Sequence, residues 1–301
     1  MELELKKLGY ALLGLLIIFN WGILAGVTMR KLGARVGRRY GVRWYQPWID
    51  LIKNYTLRTK LSHGVMFYLG PVFRLTGGVG LFLFMPLVFS DNWMNYSFQG
   101  DLVVILYFQF FGTLGMALGA GEGGHPYSVI GISRGLAQVT AIEAPLALAV
   151  LSLAIQYDTL SLKDIIAAQQ GGILHWTLWT NPFATAGSLL AFLGSFGHSP
   201  FNLVIAPNEI PIGPPTEYHS SYLGVMRTNG IILHMIEAVM FMNLFLGGAA
   251  DWFELFLKTF LLYLWSAFVG VVFPRFRIEQ SVLWFLKVPL ALSIIAVIIY
   301  I

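Results

Sequence analysis

Four ionisable residues stand inside stretches that are otherwise apolar: Arg74, Glu122, Glu143 and Glu237. A charge at membrane depth is expensive, so such groups are functional candidates by default. Glu143 lies about two turns into one of these stretches, in Gln138-Val-Thr-Ala-Ile-Glu143-Ala-Pro145. Low dielectric raises a carboxyl pKa, and a nearby cation lowers it again. A carboxyl held between the two influences takes and releases protons, which is the chemistry of a relay. The plainer reading is a glutamate paired with an arginine of a neighbouring helix for packing alone. Arg74 is expected near a span end, where its long side chain would snorkel to the interface.

A second candidate region is segment 198–222, with five prolines in 25 residues. So many prolines forbid a regular helix, yet the segment is too apolar and aromatic for a flexible linker. Long ordered loops of this kind are usually functional. Its acids, Glu209 and Glu217, would face a docked subunit or a proton path; the alternative is a loop plugged between helices.

Other chemistries are excluded by what the chain lacks. It has no cysteine, so it offers neither thiolate ligands for an iron–sulfur cluster nor a thiol nucleophile. Its six histidines show no HExxH or paired-ligand spacing, so no metal site is expected. Any redox centre must therefore reside in another chain. The run Gly119-Ala-Gly-Glu-Gly-Gly124 follows no strand and is not a nucleotide loop. The GxxxG spacings Gly22–Gly26, Gly115–Gly119 and Gly131–Gly135 are read as close helix packing.

The elements that position these residues follow from composition. Of 301 residues, 57% are apolar and only 11% charged, against about 25% charged in soluble chains. The mean hydropathy is +0.71. This is the composition of an all-α polytopic membrane protein forming a single integral membrane domain. Eight spans of about 20 residues are expected, near 8–29, 65–89, 102–121, 136–156, 182–197, 225–247, 252–273 and 281–301. The fifth is short unless it begins near Ile173. Residues 157–170 read as a short helix capped by Asp158 or Ser161, and 43–60 as an amphipathic interfacial helix carrying Trp44, Trp48, Leu51, Ile52 and Tyr55 on one face.

Nine of the nineteen Lys and Arg fall between Arg30 and Lys60, and Arg134, Arg227, Arg275 and Arg277 flank the other odd-numbered loops. The positive-inside rule then makes the odd loops cytoplasmic and places both termini outside, in a cell membrane. The basic run is read as a topology signal and not as a nucleic-acid site.

Taken together, four segments resemble the membrane subunit of respiratory complex I that connects the redox arm to the membrane arm, a family that includes the corresponding subunit of energy-converting membrane-bound nickel–iron hydrogenases. Arg30-Lys31 and Gln46-Pro47-Trp-Ile-Asp50-Leu-Ile-Lys53 look like two of its elements. Tyr127…Gly131…Arg134…Gln138…Glu143 matches its third without a gap. Pro200-Phe201-Asn202-Leu203 through Gly213 and Thr216-Glu217-Tyr218 resembles its signature loop. Phe273-Pro274-Arg275-Phe-Arg277-Ile-Glu-Gln280, then Trp284, Lys287 and Pro289, looks like its last turn and final helix.

The resemblance implies a non-redox coupling subunit of a respiratory oxidoreductase. Its cofactors, iron–sulfur clusters and a nickel–iron centre, would sit in partner subunits: a peripheral iron–sulfur subunit and a hydrogenase-like large subunit on the cytoplasmic face. Antiporter-like membrane subunits would translocate H⁺ or Na⁺. Relay or coupling residues would be Glu143, Glu122, Glu237, Arg134 and Gln138, with Arg134 the charge partner at the cytoplasmic mouth. Docking loops would present Asp50, Lys53, Glu209, Glu217, Tyr218, Arg275 and Arg277. Met29 departs from the family's Glu before the Arg-Lys. Two further departures resemble the ferredoxin-fed hydrogenase branch more than the quinone-reducing members: the first loop is shortened, and Asn202, Ile205 and Pro207 stand where acids are plentiful in the latter. A sulfane-reducing relative is equally compatible. A stand-alone transporter would show a repeat, and an intramembrane transferase an Asp-rich motif; neither is found.

Overall fold

A computed structural model describes residues 2–58, 63–89, 96–205, 210 and 212–301. Every regular element among them is helical: α1 (Glu2–Val36), α2 (Gln46–Thr56), α3 (Val65–Leu83), α4 (Asp101–Gly121), α5 (Pro126–Tyr157), α6 (Leu162–Ala168), α7 (Thr177–Thr180), α8 (Pro182–Ser195), α9 (Ser220–Phe245), α10 (Trp252–Val272), α11 (Ile278–Lys287) and α12 (Pro289–Tyr300). Among the described residues, seven spans are long and apolar enough to cross a membrane, counting α11 and α12 as one. The expected fifth span is the exception. It is α8, only 14 residues long, preceded by a 3-10 turn at Ile173–His175 and the four-residue α7. The expected last span breaks at Val288, because Pro289 offers no amide to continue the ladder of α11 and instead opens α12.

Helix α9 is the axis of the bundle. Its most apolar window is 72% buried, against 22% for α10 and for the α11–α12 span. The main core gathers Ile232, Met235, Ile236, Val239 and Phe245 of α9 with Leu81 and Phe82 of α3, and Leu146 and Leu153 of α5. Helices α3 and α4 touch backbone to backbone. A methyl group on Gly70 would strike Gly119, and one on Gly77 would strike Gly112. Gly115 and Gly119 are thus packing residues, as their spacing suggested.

Between α5 and α6 the structure corrects the expected caps. Asp158 is the left-handed C-cap of α5, with φ of 49°, and does not start α6. Ser161 holds the N-cap position of α6 without a side-chain bond. The acceptor comes from another helix: Asp101, fully buried at the start of α4, accepts from the Leu162 amide at 2.7 Å and from Ser97 Oγ at 2.7 Å. Sequence reading looks for a cap nearby in the chain and cannot see one supplied 61 residues away.

The amphipathic helix α2 does not simply float at the interface. Leu51 packs against Ile23 and Val27 of α1, and Trp48 Nε1 donates to Asn20 Oδ1 of α1 at 3.1 Å. Tyr55 reaches Thr228 of α9 at 2.9 Å. Trp44, Ile49 and Ile52 face outward from the bundle.

Candidate functional site

One cavity of about 1030 Å³ occupies the space between α1, α2, α3, α4, α5, α9 and α10 and the segment 195–205. It is lined by α5 through Gly135, Gln138, Val139, Ile142 and Glu143, whose spacings of three and four put them on one face. Both expected relay acids of the interior reach it. Glu143 Oε1 is buried with no hydrogen-bond partner, and Glu237 on α9, 3% exposed, has an unpartnered Oε2. Gln138 also lines it; its Nε2 donates to the Phe201 carbonyl at 2.7 Å and its Oε1 is unpartnered. Pro145 cannot donate to the Ala141 carbonyl, so the α5 ladder is interrupted beside Glu143.

Arg134 is not the direct partner of Glu143. Nine residues separate them on the same helix, about 13.5 Å along the axis and two and a half turns around it, on opposite faces. Arg74 also departs from expectation. It is the tenth residue of the 19-residue α3, lines the cavity and donates to the Met116 sulfur of α4. It turns inward at mid-helix and does not snorkel. Glu122 lies at the C-terminal end of α4, exposed, where its Oε2 accepts from the Phe67 amide at 2.5 Å. That amide belongs to the first turn of α3, so Glu122 serves as an N-cap delivered from a neighbouring helix.

Beside it, Tyr218 is 4% exposed, stacks on Phe67 at 4.2 Å and donates to the Phe67 carbonyl at 2.8 Å. Burial, with the Glu122 and Glu217 carboxylates nearby, pushes the Tyr218 phenol far above its ordinary value, against the opposing pull of Arg74. The hydroxyl is thereby kept as a donor. Glu217 lies 3.5 Å from His63 Nε2. Asp50 lines the cavity and accepts from Gln46 Nε2 at 2.8 Å, while Lys53 is exposed. Arg275 is half-buried; Arg277 is exposed, and its amide donates to Gln280 Oε1 at 3.0 Å as α11 begins. Glu209 and Pro207 lie outside the described residues.

Several cavity groups escaped the sequence reading: Arg74 in this role, Gln109, Tyr263, and the histidines His198 and His234. His198 Nδ1 is 2.9 Å from Ser266 Oγ, and burial pushes its imidazole below the ordinary range. His234 precedes Glu237 by three residues, which puts both on one face of α9. That spacing was the available signal. Among the described residues no cluster of three His, Asp or Glu could hold a metal.

Known proteins match nearly all of this chain. A family model described as NADH dehydrogenase matches residues 9–301. An NADH-quinone oxidoreductase subunit of Desulfotalea psychrophila is 28% identical over 289 residues, covering 89% of this chain and 86% of the relative. An NADH-quinone oxidoreductase subunit of Cereibacter sphaeroides is 27% identical over 299 residues, covering 94% and 91%. Among solved structures, a chain of the membrane-bound sulfane sulfur reductase, an archaeal respiratory membrane complex, superposes with a TM-score of 0.91 at 30% identity, covering 98% of this chain and 99% of that one. With the helical bundle and four motif segments in place, the chain belongs to the NADH dehydrogenase subunit 1 family.

Proposed function

We propose that this chain is the membrane-embedded coupling subunit of a ferredoxin-dependent respiratory complex, linking electron transfer in peripheral subunits to H⁺ or Na⁺ translocation. One observation carries the reading: two acids from different helices, Glu143 and Glu237, project unpartnered carboxyl oxygens at a single large cavity that Arg74 also lines. Buried polar atoms without protein partners call for water, and water joining two carboxyls is a proton path. Arg74 lines the same cavity, so a displacement of its wall changes what each carboxyl meets. Docked subunits that carry the iron–sulfur clusters and the active metal centre would move the wall formed by α2 and segment 195–205 as they are reduced. Antiporter-like neighbours would receive the resulting charge change, with the odd-numbered loops on the cytoplasmic side.

The terminal acceptor is read from the branch. Asn202 and Ile205 stand in the signature loop where quinone-reducing members carry acids, which favours the hydrogenase-type branch. Within that branch, the 30% identity over 98% of the chain to a sulfane sulfur reductase subunit supports sulfane sulfur as a second acceptor to test beside protons.

The experiment is to purify the intact complex, reconstitute it in vesicles and drive it with reduced ferredoxin. Hydrogen evolution, reduction of an organic trisulfide and quinone reduction are assayed in parallel, with ion uptake followed in each. We expect Glu143→Gln and Glu237→Gln to lower ion uptake per electron at least tenfold while electron transfer persists. Wild-type uptake in both variants would rule out the relay role.

A further inference from the structure

At the far end of α9 from segment 198–219, the chain turns through Leu246-Gly247-Gly248 into α10, and Lys258 folds back into that turn. Its ammonium donates to the Leu246 carbonyl at 2.7 Å and the Gly248 carbonyl at 2.7 Å, and lies 2.5 Å from Glu254 Oε1. The face of Trp176 covers it at 4.1 Å from the ring centroid. An ammonium has three N–H donors and no acceptor, and here each donor has one oxygen. The ring adds a cation–π contact on the remaining side. The residue is 9% exposed, six residues into a membrane-spanning helix.

The oxygens are held for this geometry independently of the lysine. Gly247 and Gly248 adopt φ of +72° and +68°, which L side chains rarely reach, and so turn their carbonyls inward. The Gly247 amide donates to Gln169 Oε1 at 3.0 Å, Gln170 Nε2 donates to the Gly247 carbonyl at 2.9 Å, and the Gly248 amide donates to the Met242 carbonyl at 3.2 Å. Gln169 Nε2 in turn donates to the Leu244 carbonyl at 3.1 Å. Glu254 is anchored by accepting from the Ala250 amide at 2.8 Å. The oxygens and the ring come from three places in the chain, and their bracing adds α6 and the end of α9. A simple i,i+4 surface pair needs none of this bracing.

We propose that the α9–α10 turn is a preformed binding cradle for a primary ammonium, which the chain fills with Lys258 and which, once emptied, takes up a small free alkylammonium ion. The cradle ties the end of α9, the helix that carries His234 and Glu237, to α10 and to the segment before α7. It stands on these contacts alone, independently of the proposed coupling role.

The test uses the intact purified complex, with thermal melting of the membrane part as the readout. Lys258→Ala removes the equivalent of n-propylammonium from the cradle. The expected result is a melting midpoint several degrees below wild type, raised again by n-propylammonium chloride in a saturable manner and unmoved by tetramethylammonium or sodium chloride at equal concentration. A wild-type midpoint in Lys258→Ala would overturn the proposal. So would a midpoint that no ammonium raises, or one that sodium chloride raises equally. If Lys258→Ala does not yield a complex, Lys258→Met keeps the stem against Trp176 but loses the three donors. A lowered midpoint, insensitive to propylammonium because the stem blocks the cradle, is then expected; a wild-type midpoint there overturns the cradle.

Discussion

Glu122 and Glu143 look alike in the sequence, each a lone glutamate at or beside an apolar run, and the structure gives them different work. Glu143 faces a cavity with an oxygen to spare, whereas Glu122 closes the first turn of α3 through the Phe67 amide. Loss of a side-chain N-cap costs about 0.5–2 kcal/mol. Glu122→Ala is therefore expected to destabilise the α3–α4 pair by about that amount in denaturant titrations, while Glu122→Gln, whose amide oxygen still accepts, transports ions at the wild-type rate. If Glu122→Gln instead reduced transport as far as Glu143→Gln, the residue would return to the relay. Residue type and apolar surroundings were legible in the sequence. What each carboxylate meets depends on helices more than 50 residues away, and no local pattern carries that information. Arg74 illustrates the same limit: a lone arginine among apolar residues reads as a snorkelling cation until Met116 and the cavity are placed beside it.

At the scale of elements, periodicity and length were sufficient for most of the bundle. Spans expected at 65–89, 102–121, 225–247 and 252–273 correspond to α3, α4, α9 and α10 with ends shifted by a few residues. Hydropathy blurred the others, because a run of apolar residues continues through a break when the breaking residue is proline or when a short helix precedes a longer one. That is how α11 with α12 read as one stretch, and why the start of the fifth span was open between Ile173 and residue 182. The glycine spacings were more informative. Gly77 and Gly112 allow α3 and α4 to meet with no side chain between them, although neither belongs to the GxxxG pairs. Gly77→Ala places a methyl group against the Gly112 backbone, which cannot yield as a side-chain tip can. Overpacking of this kind costs about 1–3 kcal/mol. Lower melting of the assembled complex and weaker amide protection in α3 and α4 by hydrogen exchange would follow; unchanged protection in both helices would show that the contact is slack.

For the whole molecule, one titration outside the spans bears on stability. Burial lowers the His198 pKa in the folded chain below its ordinary 6.5. As pH falls through that ordinary value the unfolded chain takes up a proton that the folded chain resists, so folding stability falls. Above it both states are neutral and the term vanishes. His198→Gln, which keeps a partner for Ser266, should flatten the decline in stability between pH 6.5 and more acid conditions without changing stability at pH 8. An unaltered acid limb would mean that His198 takes up its proton alike in the folded and the unfolded chain. The family of the chain was legible from four motif segments. The cavity was not, because its wall is assembled from α1, α2, α3, α4, α5, α9 and α10 and the segment 195–205, each contributing a few residues with no common spacing.

The shortness of α8 has an electrical side. Fourteen residues reach only about 21 Å, against roughly 30 Å of hydrocarbon. The helix therefore stops inside the bundle, with Gly194 against Ile142, the residue before Glu143. The Phe192 and Gly194 carbonyls accept from the Phe196 and Gly197 amides at 3.0 and 3.1 Å, and the negative end of the helix dipole, about half an elementary charge, falls there. Ser195, Phe196 and Gly197 line the cavity at this terminus. The end of α8 thus lends the cavity a fixed negative potential that no acidic residue supplies and no change of pH removes. Under the proposed coupling role, a cation beside Glu143 feels that field as well as the carboxyl, and substitution of the glutamate leaves the field in place.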